Sequence, residues 1–304
     1  MGEINKVLVV GAGAVGAAVA SIIHRSKPGF VHVLAEGERL ERYRAEGFIV
    51  NGIRHDFPLI SPSEKGDFDL IIVAVKSHHL DAAIKQMRLH VNPRTIILSL
   101  LNGILSEQII AEAYGPCPLA MILGIDAVRI GNETRFTSGG KISFGEPKNI
   151  QGRWTDRIAA LARFFDSAGI GYEVPEDMLK TLWYKFMINV GVNQASAVLR
   201  APYRVFQTIP EAKAAMASGM REVIALSQAV GVCLQEEDLA RWEATLVTLN
   251  GDNMTSMLQD VLAKRKTEIE IFAGTVVELG KKFGVPTPAN ELWFSLIRTI
   301  EETY

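Results

Sequence analysis

Three polar side chains recur at four-residue intervals in an otherwise apolar stretch: Lys185, Asn189 and Asn193, within Leu182-Trp-Tyr-Lys-Phe-Met-Ile-Asn-Val-Gly-Val-Asn193. On a helix that spacing lines one face. The flanking residues are apolar, so the face is not ordinary solvent surface, and buried polar groups cost free energy unless they find partners. A lysine ammonium held there can protonate a ketone oxygen while hydride reaches the carbon, and it stabilises the developing alkoxide. The same pattern also fits a buried lysine paired with a structural carboxylate. The helix pattern alone does not separate the two.

A second cluster lies near the start. Gly11-Ala12-Gly13-Ala14-Val15-Gly16 follows the short apolar run Val7 to Val10 and precedes a run of small residues. After a strand and at the opening of a helix, Gly11 makes the tight turn, Gly13 admits a pyrophosphate to the backbone, and Gly16 lets helix and strand pack closely. The helix N-terminus then offers free N–H groups and a positive dipole end. A glycine-rich turn without ligand is the plainer alternative. The end of the next strand reads Leu34-Ala35-Glu36-Gly37-Glu38-Arg39. A carboxylate at Glu36 can accept both ribose hydroxyls of NAD and repels a 2′-phosphate, although Arg39 lies near enough to offset part of that. The expectation is that NADH serves at least as well as NADPH.

A third group is Asn253, Ser256 and Glu268. Ser256 with Gln259 fits a capping box, so its plainer role is the N-cap of a long helix over 257–282, on which Glu268 could be an ordinary exposed charge. On such a helix Ser256 and Glu268 are about a third of a turn out of phase, so periodicity does not put them on one face.

These residues need elements to hold them. Strand-like runs at Lys6 to Val10, Phe30 to Ala35, Asp69 to Val75 and Thr95 to Leu100 alternate with helical segments at the glycine loop, Leu40 to Glu46 and Asp81 to Arg88. That alternation predicts a doubly wound α/β sheet, and the continuous apolar runs predict parallel strands covered on both faces. Shorter strand-like pieces follow, including Val128 to Ile130 and Lys141 to Phe144, then a helix at Thr155 to Ala168 and a strand at Gly171 to Val174. Beyond Pro175 the segments Met178 to Leu199, Glu211 to Ala229, Glu236 to Asn250, Met257 to Lys282 and Asn290 to Glu301 all read as helices. The expected organisation is a Rossmann domain over 1–176 followed by an all-α domain over 177–304.

The chain of 304 residues exceeds a typical single core. A net charge of -2 gives no basic excess for nucleic acid. No apolar run reaches membrane-spanning length, and the N-terminus lacks a signal-peptide layout. Cys117 and Cys233 have no metal-type spacing and read as reduced residues of a cytoplasmic protein. No metal is expected. The sequence does not fix an oligomeric state, and a homodimer is compatible with it.

The joint pattern resembles the ketopantoate reductases (2-dehydropantoate 2-reductases) along essentially the whole chain. Its pieces are the Gly11–Gly16 loop, Val75-Lys76, Leu101-Asn102-Gly103, Trp183-x-Lys185-x-x-x-Asn189-x-x-x-Asn193, Ser256-Met257-x-Gln259-Asp260 and Thr267-Glu268. The resemblance implies a Rossmann domain, a helical C-terminal domain of the 6-phosphogluconate dehydrogenase type, and an active site in the cleft between them. It implies Lys185 as general acid and Glu268 as the carboxylate that helps hold substrate and orient the lysine. Asn189, Asn193 and Asn253 match substrate-contacting amides, and Ser256 matches a contact to the substrate carboxylate. Asn102 matches a residue bridging cofactor and substrate, and Lys76 a lysine at the cofactor cleft. The family reaction is NADPH-dependent reduction of ketopantoate to D-pantoate, a step towards pantothenate. This chain departs from the family's pattern at Glu36 and at His79.

Three functions follow as expectations. The first is ketopantoate reduction, with Asn189, Asn193 and Glu268 as partners for the substrate's terminal hydroxyl. The second is an NAD-dependent D-2-hydroxyacid dehydrogenase for another branched or aromatic 2-keto acid. The third is a non-catalytic dinucleotide-binding protein, which would not need both Lys185 and Glu268.

Overall fold

The computed structural model describes residues 2–304. The apolar runs around the glycine loop form a parallel sheet. In chain order, β1 (Val7–Val10), α1 (Ala14–Ser26), β2 (Val31–Leu34), α2 (Gly37–Glu46), β3 (Phe48–Val50), β4 (Ile53–His55), β5 (Leu59–Ile60), β6 (Leu70–Val73), α3 (Leu80–Gln86), β7 (Ile96–Ser99) and α4 (Ser106–Tyr114) succeed one another. Five strands align as β5-β2-β1-β6-β7, and every neighbouring pair is parallel. The chain enters at the centre and winds out to both edges, the doubly wound order expected from the alternating pattern.

The continuous apolar strands are explained by burial on both faces. Val7, Val9, Leu70, Ile72 and Leu98 join one core with Val19 and Ile23 of α1. Leu8, Val10, Ile71, Val73 and Ile97 join another with Leu80 and Ala83 of α3 and Ile110 of α4. Successive side chains point to opposite faces, so a strand with helices on both sides must be apolar throughout.

The first compact unit continues to Leu179 through β8 (Leu119–Ile125), β9 (Val128–Ile130), β10 (Glu133–Arg135), β11 (Gly139–Gly145), α5 (Asp156–Ala168) and β12 (Tyr172–Glu173). β11 pairs antiparallel with β8 and parallel with β12. The β9–β10 hairpin joins β3 and β4 in a separate small sheet. β3, β4 and β5 are too short for a periodicity to register in the sequence, and they had no counterpart in the expected elements.

The second compact unit spans Lys180–Tyr304. α6 (Met178–Ile188) runs into a π-helical turn over Asn189–Asn193 and on into α7 (Gln194–Leu199). α8 (Tyr203–Thr208), α9 (Pro210–Ala229), α10 (Glu236–Thr248), α11 (Ser256–Leu262), a 3₁₀ turn at Ile269–Ile271, α12 (Ala273–Phe283) and α13 (Pro288–Glu301) follow.

The single long helix expected over 257–282 is a correction. α11 stops at Leu262, because Lys264 adopts a left-handed φ of 52°. Arg265 N–H then bonds Asp260 O at 2.9 Å and Lys264 N–H bonds Val261 O at 3.1 Å. These are the paired bonds of a Schellman C-cap, here with lysine in the place usually held by glycine. Arg265 Nε also reaches the buried Asp260 carboxylate at 3.0 Å, which strengthens the stop. Glu268 therefore lies off any long helix, at the start of the 3₁₀ turn.

Candidate functional site

The glycine loop lies between β1 and α1, where its three glycines meet different constraints. Gly11 has φ +95°, and a Cβ on it would lie 2.6 Å from Val75 Cγ1. A Cβ on Gly16 would lie 2.0 Å from Gly11 O. A Cβ on Gly13 would meet nothing within 4 Å. Two glycines are therefore demanded by packing, whereas the third faces open space. Gly13 is also the N-cap of α1, provides no side-chain cap, and is followed by a first turn without acidic residues. The leading N–H groups of α1 are left for an anion. This cradle fits the pyrophosphate of a dinucleotide.

Arg129 on β9 was not singled out from the sequence. Its Nη1 donates to Ala12 O at 2.6 Å, its Nη2 to Asn132 Oδ1 and its Nε to Gly131 O. Among the described residues it forms no ion pair with a carboxylate. A half-buried guanidinium thus steadies the outer edge of the loop. Only the hairpin brings it there, and no local spacing in the sequence signals the contact.

Glu36 follows β2 and is the N-cap residue of α2. Gln86 Nε2, at the end of α3, donates to Glu36 Oε1 at 2.5 Å. The carboxylate is thereby held at the carboxyl end of the sheet with its second oxygen unclaimed by that bond. Lys76 follows β6 and Asn102 follows β7, and both are half-buried. The Asn102 loop is shaped from below. Ser99 Oγ accepts Leu101 N–H at 3.4 Å and shares a 2.8 Å hydrogen bond with Ser106 Oγ, which donates to Glu107 Oε2.

In the second unit, Lys185 is 6% exposed on α6, beside the buried Leu182, Trp183, Phe186 and Met187. α6 is tied to α10 by the Lys180–Asp238 ion pair at 3.2 Å and by the Arg241 guanidinium stacked 3.9 Å over Tyr184. Asn189 and Asn193 bracket the π turn, and Asn193 Nδ2 approaches Asn189 Oδ1 at 3.4 Å. The widened turn re-aims these amides, so Lys185, Asn189 and Asn193 do not follow one uniform α-helical repeat. π turns of this kind concentrate at functional sites. Gly191 in the turn has no room for a side chain, since a Cβ would lie 2.4 Å from Met220 of α9.

Ser256 is not the N-cap of α11. Thr255 is, accepting Leu258 N–H on Oγ1 at 3.2 Å. Ser256 is the exposed first helical residue, so its hydroxyl is not consumed by capping. Thr255 Oγ1 also donates to Ser196 Oγ of α7 at 3.1 Å, which ties this helix start to the helix that continues from the π turn. Asn253 precedes it in the exposed loop, and its carbonyl accepts Tyr203 N–H. Glu268 is 6% exposed. Its neighbour Thr267 is anchored by two 2.7 Å bonds from its N–H and hydroxyl to Glu301 Oε1.

No group of His, Cys, Asp and Glu suited to a metal occurs among the described residues. Burial, reinforced by the Glu107 charge, pushes the Cys117 thiol up to about 12. It is therefore not a thiolate nucleophile at neutral pH.

Two family models match the chain: one described as "Ketopantoate reductase PanE/ApbA" over residues 7–149 and its C-terminal counterpart over residues 177–301. A relative from Aquifex aeolicus named 2-dehydropantoate 2-reductase is 28% identical over 312 residues, covering 98% of this chain and 97% of its own. A solved 2-dehydropantoate 2-reductase from Geobacter metallireducens aligns with a TM-score of 0.84 at 26% identity, covering 97% of this chain and 99% of that one. A D-mandelate dehydrogenase solved with NADH and anilino(oxo)acetate shares the fold, with a TM-score of 0.88 at 22% identity over 98% of each chain.

Proposed function

The chain belongs to the ketopantoate reductase family of nicotinamide-dependent oxidoreductases, and we propose that it reduces the keto group of ketopantoate to the hydroxyl of D-pantoate with Lys185 as proton donor. The observation that carries this reading is the buried Lys185 on an apolar helix that opens into a π turn bearing Asn189 and Asn193. A cation kept there is suited to an oxygen that becomes an alkoxide, and water-excluded surroundings strengthen the interaction.

When bound, the reduced nicotinamide supplies the hydride that forms the new C–H bond at the keto carbon. Lys185 gives its proton to the keto oxygen as the C=O π bond opens, and the resulting neutral amine takes a proton back from solvent. Asn189, Asn193 and Asn253 hydrogen-bond the substrate's oxygens. Ser256 hydroxyl donates to its carboxylate. Glu268 accepts from the terminal hydroxyl. Asn102 and Lys76 would hold the cofactor's reacting end, and the Gly11–Gly16 loop, steadied by Arg129, would hold its pyrophosphate.

Glu36 supports use of NADH at least as well as NADPH. Like charges about 4 Å apart repel by roughly 4 kcal/mol at an effective dielectric near 20. A hydrogen bond from Arg39 to a 2′-phosphate returns only about 1.5–3 kcal/mol. Because Gln86 holds the Glu36 carboxylate in place, swinging it away from a 2′-phosphate also costs that bond. This charge favours, as a second reading, an NADH-linked D-2-hydroxyacid dehydrogenase for another branched or aromatic 2-keto acid.

The two readings differ in whether the terminal hydroxyl is recognised. The test is kcat/KM for ketopantoate and for 2-ketoisovalerate, which lacks that hydroxyl, each with NADH and NADPH. A site built to read a hydroxyl prefers ketopantoate by at least about a hundredfold. Equal or reversed preference supports the second reading and overturns the first.

A further inference from the structure

Gln194 sits where the π turn rejoins regular helix, and the proposed chemistry has no step for it. Its side chain is fully buried. Nε2 donates to Val190 O at 2.6 Å and to Asn290 Oδ1 at 3.0 Å, while Oε1 accepts Ala273 N–H at 2.9 Å. Its backbone N–H goes to Gly191 O. In an α-helix that N–H would take Val190 O, four residues back. Here the side-chain amide reaches that carbonyl instead.

The distant partners give these bonds a direction. Ala273 is the first residue of α12, whose N-cap Phe272 supplies no side-chain bond. Gln194 therefore satisfies an orphan N–H at the start of the helix that follows Glu268 and the 3₁₀ turn. On the other side of Glu268, Thr267 is anchored to Glu301. The Glu268 segment is thus held at both ends. Asn290 fixes the polarity of the set: its Nδ2 donates to Glu222 Oε2 at 2.6 Å, and Ala289 and Asn290 N–H donate to the same carboxylate. Oδ1 of Asn290 must then face Gln194, which obliges Gln194 to present Nε2 there and Oε1 to Ala273.

We infer that Gln194 is a positioning residue that locks the turn carrying Asn189 and Asn193 to the segment carrying Glu268. Lys185 lies on the helix that enters the same turn, so the spacing of proton donor, amides and carboxylate is kept by one buried carboxamide. What is positioned rests on the function proposed above, whereas the lock itself rests on the hydrogen bonds alone.

Two variants test it. Gln194→Leu removes all of these side-chain bonds at similar volume. Gln194→Glu keeps the acceptor for Ala273 N–H, but when ionised it turns a negative oxygen on Val190 O and Asn290 Oδ1; when protonated its single O–H donates to one of the two. In Gln194→Leu, kcat with ketopantoate is expected to fall at least about tenfold, with the dissociation constant for the reduced cofactor unchanged. In Gln194→Glu the same loss is expected at neutral pH, and its rate relative to wild type at each pH recovers in part on acidification, at a pH raised by burial of the carboxyl. Amide hydrogen exchange without substrate should rise in Gln194→Leu over residues 189–194 and also over 268–273, with α10 unchanged. Wild-type kcat in folded Gln194→Leu, even with a lowered melting temperature, overturns the inference, as does an exchange change confined to 189–194. If the wild-type protein reduces no 2-keto acid, the proposed function fails, and the exchange pattern alone still decides whether the lock exists.

Discussion

Glu36 is a single charge with a defined partner, and the cofactor prediction belongs to it. Replacing Glu36 with arginine exchanges repulsion of a 2′-phosphate for attraction, so Glu36→Arg should move the ratio of kcat/KM for NADPH over NADH upward by at least about a hundredfold. Gln86→Leu frees the carboxylate that Gln86 now holds, and it should move the same ratio in the same direction by a smaller factor. Steady-state assays with both cofactors read both effects; an unchanged ratio in Glu36→Arg would mean that this carboxylate does not face the adenosine ribose. Glu36 was legible because the end of the second strand has a known use, whereas Gln86 was not, because only the folded sheet brings α3 beside it. Ser256 shows the opposite problem. Its spacing to Gln259 fits a capping box, but the neighbouring Thr255 hydroxyl takes the capping bond and is buried against Ser196. Two adjacent hydroxyl residues compete for one cap, and sequence spacing does not choose between them.

The glycine loop makes a sharper prediction when treated as an element. Gly16→Ala places a methyl 2.0 Å from Gly11 O, between two backbones that cannot both yield. It should destabilise the first unit by about 1–3 kcal/mol or more, as overpacking does. Gly13→Val adds its side chain to open space and should leave the melting temperature nearly unchanged while abolishing cofactor binding by calorimetry. The reverse pattern would mean that the space beside Gly13 is not the pyrophosphate site. A second prediction concerns α5 and the strand before it. The Arg157 guanidinium on Glu146 holds the Glu146 carboxyl below the usual carboxylate range, against the burial that raises it. A depressed carboxylate stabilises the fold above its unfolded pKa and loses that contribution as pH falls through the folded value. Arg157→Met should therefore lower the melting temperature at neutral pH, and the gap to wild type should narrow on acidification below the ordinary carboxylate range. A gap independent of pH would assign the effect to lost packing of the arginine stem. Among the helices, Met178 to Leu199 was legible as one apolar run, but the π turn inside it was not. The extra residue is accommodated by Gly191 against Met220 and by Gln194 against Asn290 and Ala273, contacts that involve other helices. The break at Lys264 was hidden for a similar reason: a lysine in a left-handed C-cap carries none of the glycine signal that usually marks one.

Across the whole molecule, the doubly wound sheet was legible because strands buried on two faces must read as unbroken apolar runs, as Leu70 to Val73 does. The short strands β3, β4 and β5 escaped because two or three residues cannot display a period. The proposed reaction asks for hydride from a bound dinucleotide and a proton from Lys185. The most direct test is a single-turnover experiment in which each protein, saturated with reduced cofactor, is mixed with ketopantoate and oxidation of the nicotinamide is followed by absorbance. Wild type should oxidise its bound cofactor only when the keto acid is added. Lys185→Ala should bind the cofactor equally and oxidise it at least about a hundredfold more slowly. A variant rate equal to wild type, or a wild-type enzyme whose bound cofactor is untouched by ketopantoate, would contradict the proposed function.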